Sequence, residues 1–572
     1  MIPSRTQLGL IVFGFVLVFG SAFGVHYDNA INPYHFNDDA RQQIAPFVLL
    51  SQSVPSSYSS EYYIKVFSPL GFRWLYEAGI QRFDPQTLSK ILPYALAFVM
   101  YLCMGVSAWR LGGRLSCCIS LLLVLSTEVF MARMMGGVPR SFAFPCIAVT
   151  ILYLIEGRAV GLALIAILGS AFYPTAGLVS AFSLVLLLFV VPARLRGGTK
   201  KWDLKKRMLC VFIVAVISAT ITVPQIISSG DYGQRIGTED LDHFPEAGEG
   251  GRYGAGDRPP FAGSLATVLK NSALAFDGES APIRLFSLHS SKYLTIVLDL
   301  MAVFSLLVIF FGVKAEWNLN AKYSRAFILL PACIIGYLSA DILYPHLFLP
   351  ERFLTYSLPV FIIVLFPACL LSLLNRLRLF EQKKQMSSRL AVLIPVLFFI
   401  VSGGVGSGNS GYSVRVDDWQ PLYERIRQLP KESVIAGWPG GPVENIPYLS
   451  ARNVLIAYET HQAFHKDYVL EMRHRMDALI NAYFATDESA LTALRKQFGV
   501  DYLLLDLRHY QEKPYYFRPF DITIDKAIQR AQGRGFYLEK NHRPLTSFQM
   551  GPWVLLDLAK IEMQNLKDAV KK

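Results

Sequence analysis

Residues Leu354 to Leu374 read LTYSLPVFIIVLFPACLLSLL, without one charged side chain. A helix of that length runs about 30 Å, the thickness of a bilayer's hydrocarbon core. Arg352 stands just before the stretch and Arg376 just after it, where basic groups reach headgroups. In hydrocarbon such a backbone satisfies its own polar groups only as a helix.

Comparable blocks recur at 8–24, 90–110, 115–131, 140–156, 159–172, 175–193, 208–228, 293–313, 326–345 and 389–405. The 572-residue chain is 53% hydrophobic and 17% charged, with a mean hydropathy of +0.36. A soluble protein of this length needs far more charge to cover its surface. The expected fold class is therefore a polytopic α-helical membrane protein with about eleven transmembrane helices. The first block resembles a signal peptide with Arg5 as its basic start. Its run is long, however, and no small-x-small cleavage site follows, so it is expected to stay. No CxxC or Cys/His metal spacing occurs, and every cysteine falls in a candidate span, so no structural disulfide is expected.

Lysine and arginine in short loops set the orientation. They crowd into loops 194–207 and 375–389, which places those loops in the cytoplasm. The net charge of +12 then needs no nucleic-acid partner. The N-terminus is cytoplasmic on this reading, and 25–89, 229–292 and 406–572 lie outside the cell (inner or plasma) membrane. The tail alternates apolar runs (Val434–Ala436, Val454–Ile456, Tyr502–Leu505) with amphipathic stretches at 468–483, 487–498 and 523–532. Strands alternating with helices predict a small α/β domain. The chain thus divides into a transmembrane part, 1–405, and an extracytoplasmic α/β domain, 406–572.

Three constellations carry candidate chemistry. The first is the loop Asn32–Gln43, with Asp38 and Asp39 adjacent and close to the membrane. Adjacent carboxylates favour a cation or a shared proton, and either one could act as a general base. The same residues also suit a helix N-cap formed by Asn37 or Asp38. The second is the charged rim at the outer span ends: Glu128, Arg133, Arg140, Asp341, Glu351 and Arg352, with Asp299 inside a span. A guanidinium at that depth suits a lipid-linked phosphate, or else snorkels or pairs with Glu351. The third is Gly437–Tyr448, where Trp438 and Tyr448 could stack on a sugar and Glu444 could accept hydroxyl hydrogen bonds. Taken alone, it reads first as an ordinary strand-to-helix loop. It lacks any GxGxxG or Walker pattern, and the His461/His465 spacing lacks the glutamate of a zinc motif.

The order of a first span, an acidic pair early in the first outer loop, many further spans and an outer α/β domain resembles the GT-C glycosyltransferases. The stretch Ile435-Ala436-Gly437-Trp438-Pro439 leading to Ser450-Ala451-Arg452-Asn453-Val454-Leu455 is similar to the start of the soluble domain in oligosaccharyltransferase catalytic subunits. Of that family's Trp-Trp-Asp motif only Trp438 is present, and Met131–Arg140 lacks its Asp-x-Asp. The resemblance implies an inverting membrane transferase that takes a sugar from a polyprenyl-phosphate donor on the outer face. It implies catalytic roles for Asp38 and Asp39 and phosphate contacts for Arg352, Arg140 and Arg133. It also implies acceptor contacts for Trp438, Glu444 and Tyr448. A divalent cation (Mg or Mn) on Asp38 and Asp39 would be its only cofactor. Its partners would be the lipid-linked donor, a glycan, lipid or protein acceptor, and membrane lipids. The rival readings are a transporter or flippase of lipid-linked glycans and a non-catalytic scaffold for envelope assembly.

Overall fold

The computed structural model describes Gly24 and residues 26–252, 292–317, 320–343, 349–376 and 410–561. The expected spans 8–24 (Gly24 apart) and 389–405 lie outside the described residues. So do positions 253–291 of the 229–292 loop and the side chains of Glu128 and Asp299.

Five helical stretches are long and apolar enough to cross a membrane: Pro85–Val124, Pro139–Glu156, Leu204–Tyr232, Ala321–Ile342 and Arg352–Arg376. Ala159–Phe172 and Pro174–Val190 are shorter and equally apolar. Leu204–Ser229 leaves Met208, Leu209, Phe212, Ile213, Ile226 and Ile227 exposed. A stripe of that kind on a long apolar helix suits hydrocarbon, and with five such stretches the chain reads as a membrane protein. Helix Arg352–Arg376 lies at the centre of the bundle, with Leu354, Val360, Val364, Leu365 and Ala368 buried. Helices Pro85–Ser126, Lys292–Glu316, Leu329–Ile342 and Ala143–Glu156 pack on it.

The blocks read as 90–110 and 115–131 form one run, Pro85–Ser126, broken at Gly113, where φ is +78°. Its 42 residues would measure about 63 Å if straight, twice a bilayer's hydrocarbon thickness. The second arm stops early, at Thr127, and the chain restarts as Glu128–Met134. The Thr127 hydroxyl donates to the Leu123 carbonyl at 2.6 Å, a local bond that competes with the helix ladder.

The C-terminal stretch holds a five-stranded sheet of order β4-β3-β5-β7-β6. Strands β3 (Val434–Gly437), β4 (Asn453–Val454) and β5 (Val500–Asp506) run parallel. β6 (Thr546–Met550) and β7 (Trp553–Asp557) are antiparallel additions. Helix Lys466–Tyr483 covers the sheet, burying Met472, Met476, Leu479 and Ile480 with Leu503, Leu505 and Val554. A two-stranded ribbon ties the acidic loop to the start of the C-terminal stretch: β1 (His35–Phe36) pairs antiparallel with β2 (Val414–Arg415).

Candidate functional site

The ribbon fixes the loop that carries the acidic pair. Beside it, His35 Nε2 lies 2.5 Å from Asp417, and the Asn32 amide donates to the same carboxylate at 2.7 Å. Asn37 closes an Asx turn just ahead of helix Ala40–Gln43, whose N-cap is Asp39 rather than the expected Asn37 or Asp38. Its Oδ1 accepts the Asp39 backbone N–H at 3.1 Å, and its amide donates to the Gly411 carbonyl at 2.9 Å. Asp39 makes no capping bond of its own. With the turn satisfied by Asn37, both carboxylates are available to other partners, and those partners differ.

Asp39 faces the membrane bundle. Arg140 Nη1 donates to its Oδ2, and Arg140 Nη2 donates to Asn37 Oδ1 at 3.0 Å. Arg140 Nε reaches back to the Arg133 carbonyl at 3.3 Å. Arg352, at the first turn of helix Arg352–Arg376, interacts electrostatically with Asp39, Glu351, Tyr173 and Tyr356. Glu351 in turn feels Arg133. Three arginines and two carboxylates therefore share one rim at the head of the bundle, leaving a positive excess that suits an anion.

Two glycines bring that rim to the loop. Gly136 and Gly137 take φ of +93° and +58°. A Cβ on Gly136 would sit 2.8 Å from the Asn37 side chain, and one on Gly137 would sit 2.8 Å from the Ser89 backbone. Gly136→Ala is expected to cost about 1–3 kcal/mol and to part Arg140 from Asp39. Thermal unfolding in detergent checks this. Gly230→Ala is the control, because that position has ordinary φ and open space.

Asp38 faces the C-terminal stretch. Its Oδ1 lies 2.5 Å from Arg41 Nη2, which is also 3.2 Å from Glu459 Oε1. Glu459 Oε2 takes Arg252 Nη2 at 2.8 Å, and that guanidinium stacks 3.9 Å from the Tyr458 ring centre. Burial lifts the Glu459 carboxyl above its usual range, while Arg252 and Arg41 oppose the rise. Arg41, Arg252 and Glu459 are site residues that sequence reasoning missed. Arg41 offered one signal, three residues after Asp38 on a short helix.

The residues expected at an acceptor surface lie inside the packing instead. Trp438 is buried among Tyr483, Phe484, His509 and Tyr516, and its indole N–H points to the Tyr515 carbonyl. Tyr448 is fully buried against Phe36. Glu444 accepts the backbone N–H groups of Gly440, Tyr458 and Glu459 at 2.8, 2.5 and 3.1 Å. It holds Glu459 in place rather than meeting solvent. Trp438 is consumed by the core under helix Lys466–Tyr483, and Tyr448 by the separate core that contains Phe36 and Tyr423.

Asp38 and Asp39 are each turned to an arginine, and no group of three or more His, Cys, Asp or Glu gathers among the described residues.

No protein-family model matches the chain, and no curated protein matches its sequence. Solved structures resemble its backbone course. The Archaeoglobus fulgidus oligosaccharyltransferase AglB, in complex with an inhibitory peptide and a dolichol-phosphate, aligns over 88% of this chain and 70% of its own. The identity there is 12% and the TM-score 0.47. Its apo form gives 13% identity and a TM-score of 0.48 over the same shares. ArnT from Cupriavidus metallidurans, bound to undecaprenyl phosphate, aligns over 95% of this chain and 98% of its own, at 12% identity and a TM-score of 0.47. The structural neighbours of this chain are thus the archaeal oligosaccharyltransferase AglB and ArnT, at low sequence identity.

Proposed function

We propose that this protein is an inverting membrane glycosyltransferase that moves a sugar from a polyprenyl-phosphate carrier to an acceptor on the outer face of the membrane. One observation carries the reading. Adjacent carboxylates are split between a basic rim at the membrane and the extramembrane sheet region, so a carrier phosphate and an acceptor can approach from opposite sides. The carrier's tail lies in lipid, and its phosphate meets Arg140 and Arg352, with Arg133 nearby. Asp39 orients Arg140 toward it.

In the transfer, the acceptor's nucleophilic oxygen or nitrogen forms a bond to the anomeric carbon. The bond from that carbon to the phosphate oxygen breaks, and its electron pair leaves with the phosphate onto the arginines. The acceptor's proton passes to Asp38. No step is routed through a cation. The proposal includes about eleven spans, with 406–572 as an extracytoplasmic domain that presents a glycan, lipid or protein acceptor.

The test is to embed the purified protein in nanodiscs with a synthetic polyprenyl-phosphate sugar and a mixed acceptor pool. Release of sugar-free carrier phosphate, matched by glycosylated acceptor, is the expected result. Carrier movement across liposomes without cleavage would instead make the protein a flippase. Neither activity would leave the scaffold reading.

A further inference from the structure

We infer that Glu459 is a positioning residue that sets the proton affinity of Asp38 by sharing Arg41 with it, a role that rests on the transferase reading above. A single nitrogen, Arg41 Nη2, serves both carboxylates, at 2.5 Å from Asp38 and 3.2 Å from Glu459. Arg41 cannot move away to solvent: its side chain is 16% exposed and its Nε is buried without a partner. Glu459 is the more rigid of the two carboxylates. Arg252 holds its second oxygen, Glu444 holds its backbone N–H, and the Tyr63 hydroxyl donates to its carbonyl at 2.6 Å. Asp38, by contrast, is 45% exposed.

The guanidinium is therefore divided between a fixed anion and a free one. An aspartate that owned Arg41 outright would be a weaker base, because a nearby cation stabilises its ionised form. Glu459 takes part of that cation and sets a second negative charge beside it, so Arg41 is held between the two carboxylates. The other charged and titratable groups around Glu459 are Arg252, Glu444 and Tyr516, with Tyr423 beside Arg41. His461, also close to Arg252, is held neutral by burial, its pKa pushed down to about 3.

The experiment is the pH profile of kcat for Glu459→Gln, which keeps the side chain's shape and removes its charge. The acidic limb is expected to move about one unit lower, with a reduced plateau and an unchanged donor KM. Glu459→Asp restores the charge and should bring the limb back toward its original position. A lower kcat with an unmoved limb would mean a purely structural role and overturns the inference.

A second measurement does not depend on turnover. Asp38→Asn and Glu459→Gln are combined in a thermal-unfolding cycle, and their effects are expected to be non-additive because one guanidinium serves both groups. Additive effects overturn the inference. If the unaltered protein turns over no polyprenyl-phosphate sugar, the transferase reading fails alone and the cycle still decides whether Arg41 is shared.

Discussion

Asp38→Asn is expected to lower the transfer rate by about 10²–10⁴-fold, the usual worth of a positioned general base, with little change in melting temperature. The amide keeps the carboxylate's shape but cannot accept the acceptor's proton. The stability cost is limited because Asp38 is half-exposed and Arg41 keeps Glu459 as its second partner. The measurement is single-turnover release of carrier phosphate, compared with thermal unfolding of the same preparation. Asp39→Asn should behave differently. It loosens Arg140 and so weakens donor binding, read as a raised donor KM with a smaller loss in kcat. Full activity in both single variants and in the double variant would end the catalytic role of the pair.

Arg352→Gln has the second largest expected effect, a loss of about 10²–10³-fold in kcat/KM for the lipid-linked donor. Arg352 stands at the start of a membrane helix, between Asp39, Glu351, Tyr173 and Tyr356. There its charge is fixed before any phosphate arrives. Glutamine keeps hydrogen-bonding capacity but cannot stabilise charge building on a departing phosphate. Arg352→Lys should recover part of the loss, because the ammonium restores the charge without the planar two-point grip. Measuring donor affinity and rate separately identifies the step. Unchanged values for the glutamine variant would place the phosphate elsewhere on the rim.

Different parts of this molecule were legible in the sequence to different degrees, for physical reasons. The membrane helices announce themselves because hydrocarbon imposes the same demand on every residue of a span. Ala159–Phe172 begins and ends where its apolar run does. The runs Val434–Ala436 and Tyr502–Leu505 lie within β3 and β5. The break at Thr127 falls inside an apolar run, where hydropathy alone gives no signal. At the site, Asp38 and Asp39 look interchangeable in the sequence. What separates them is Arg140 on one side and Arg41 with Glu459 on the other. Glu459 lies 418 positions from Arg41, and no local pattern links them. A turn-rich segment with aromatics looks like a surface in the sequence, yet Trp438 packs under helix Lys466–Tyr483 and Tyr448 packs against Phe36.

The ribbon between β1 and β2 has a consequence for how the protein comes into being. Asn37 and the Gly411 carbonyl it binds are 374 positions apart. At ribosomal speeds of about 5–20 residues per second, the second emerges roughly 20–75 s after the first. Throughout that interval the acidic loop exists without the partner that shapes it. A truncated or stalled nascent chain would therefore carry Asp38 and Asp39 yet have no assembled centre. The acidic loop takes its final shape only once the last third of the polypeptide has been made and has closed over it.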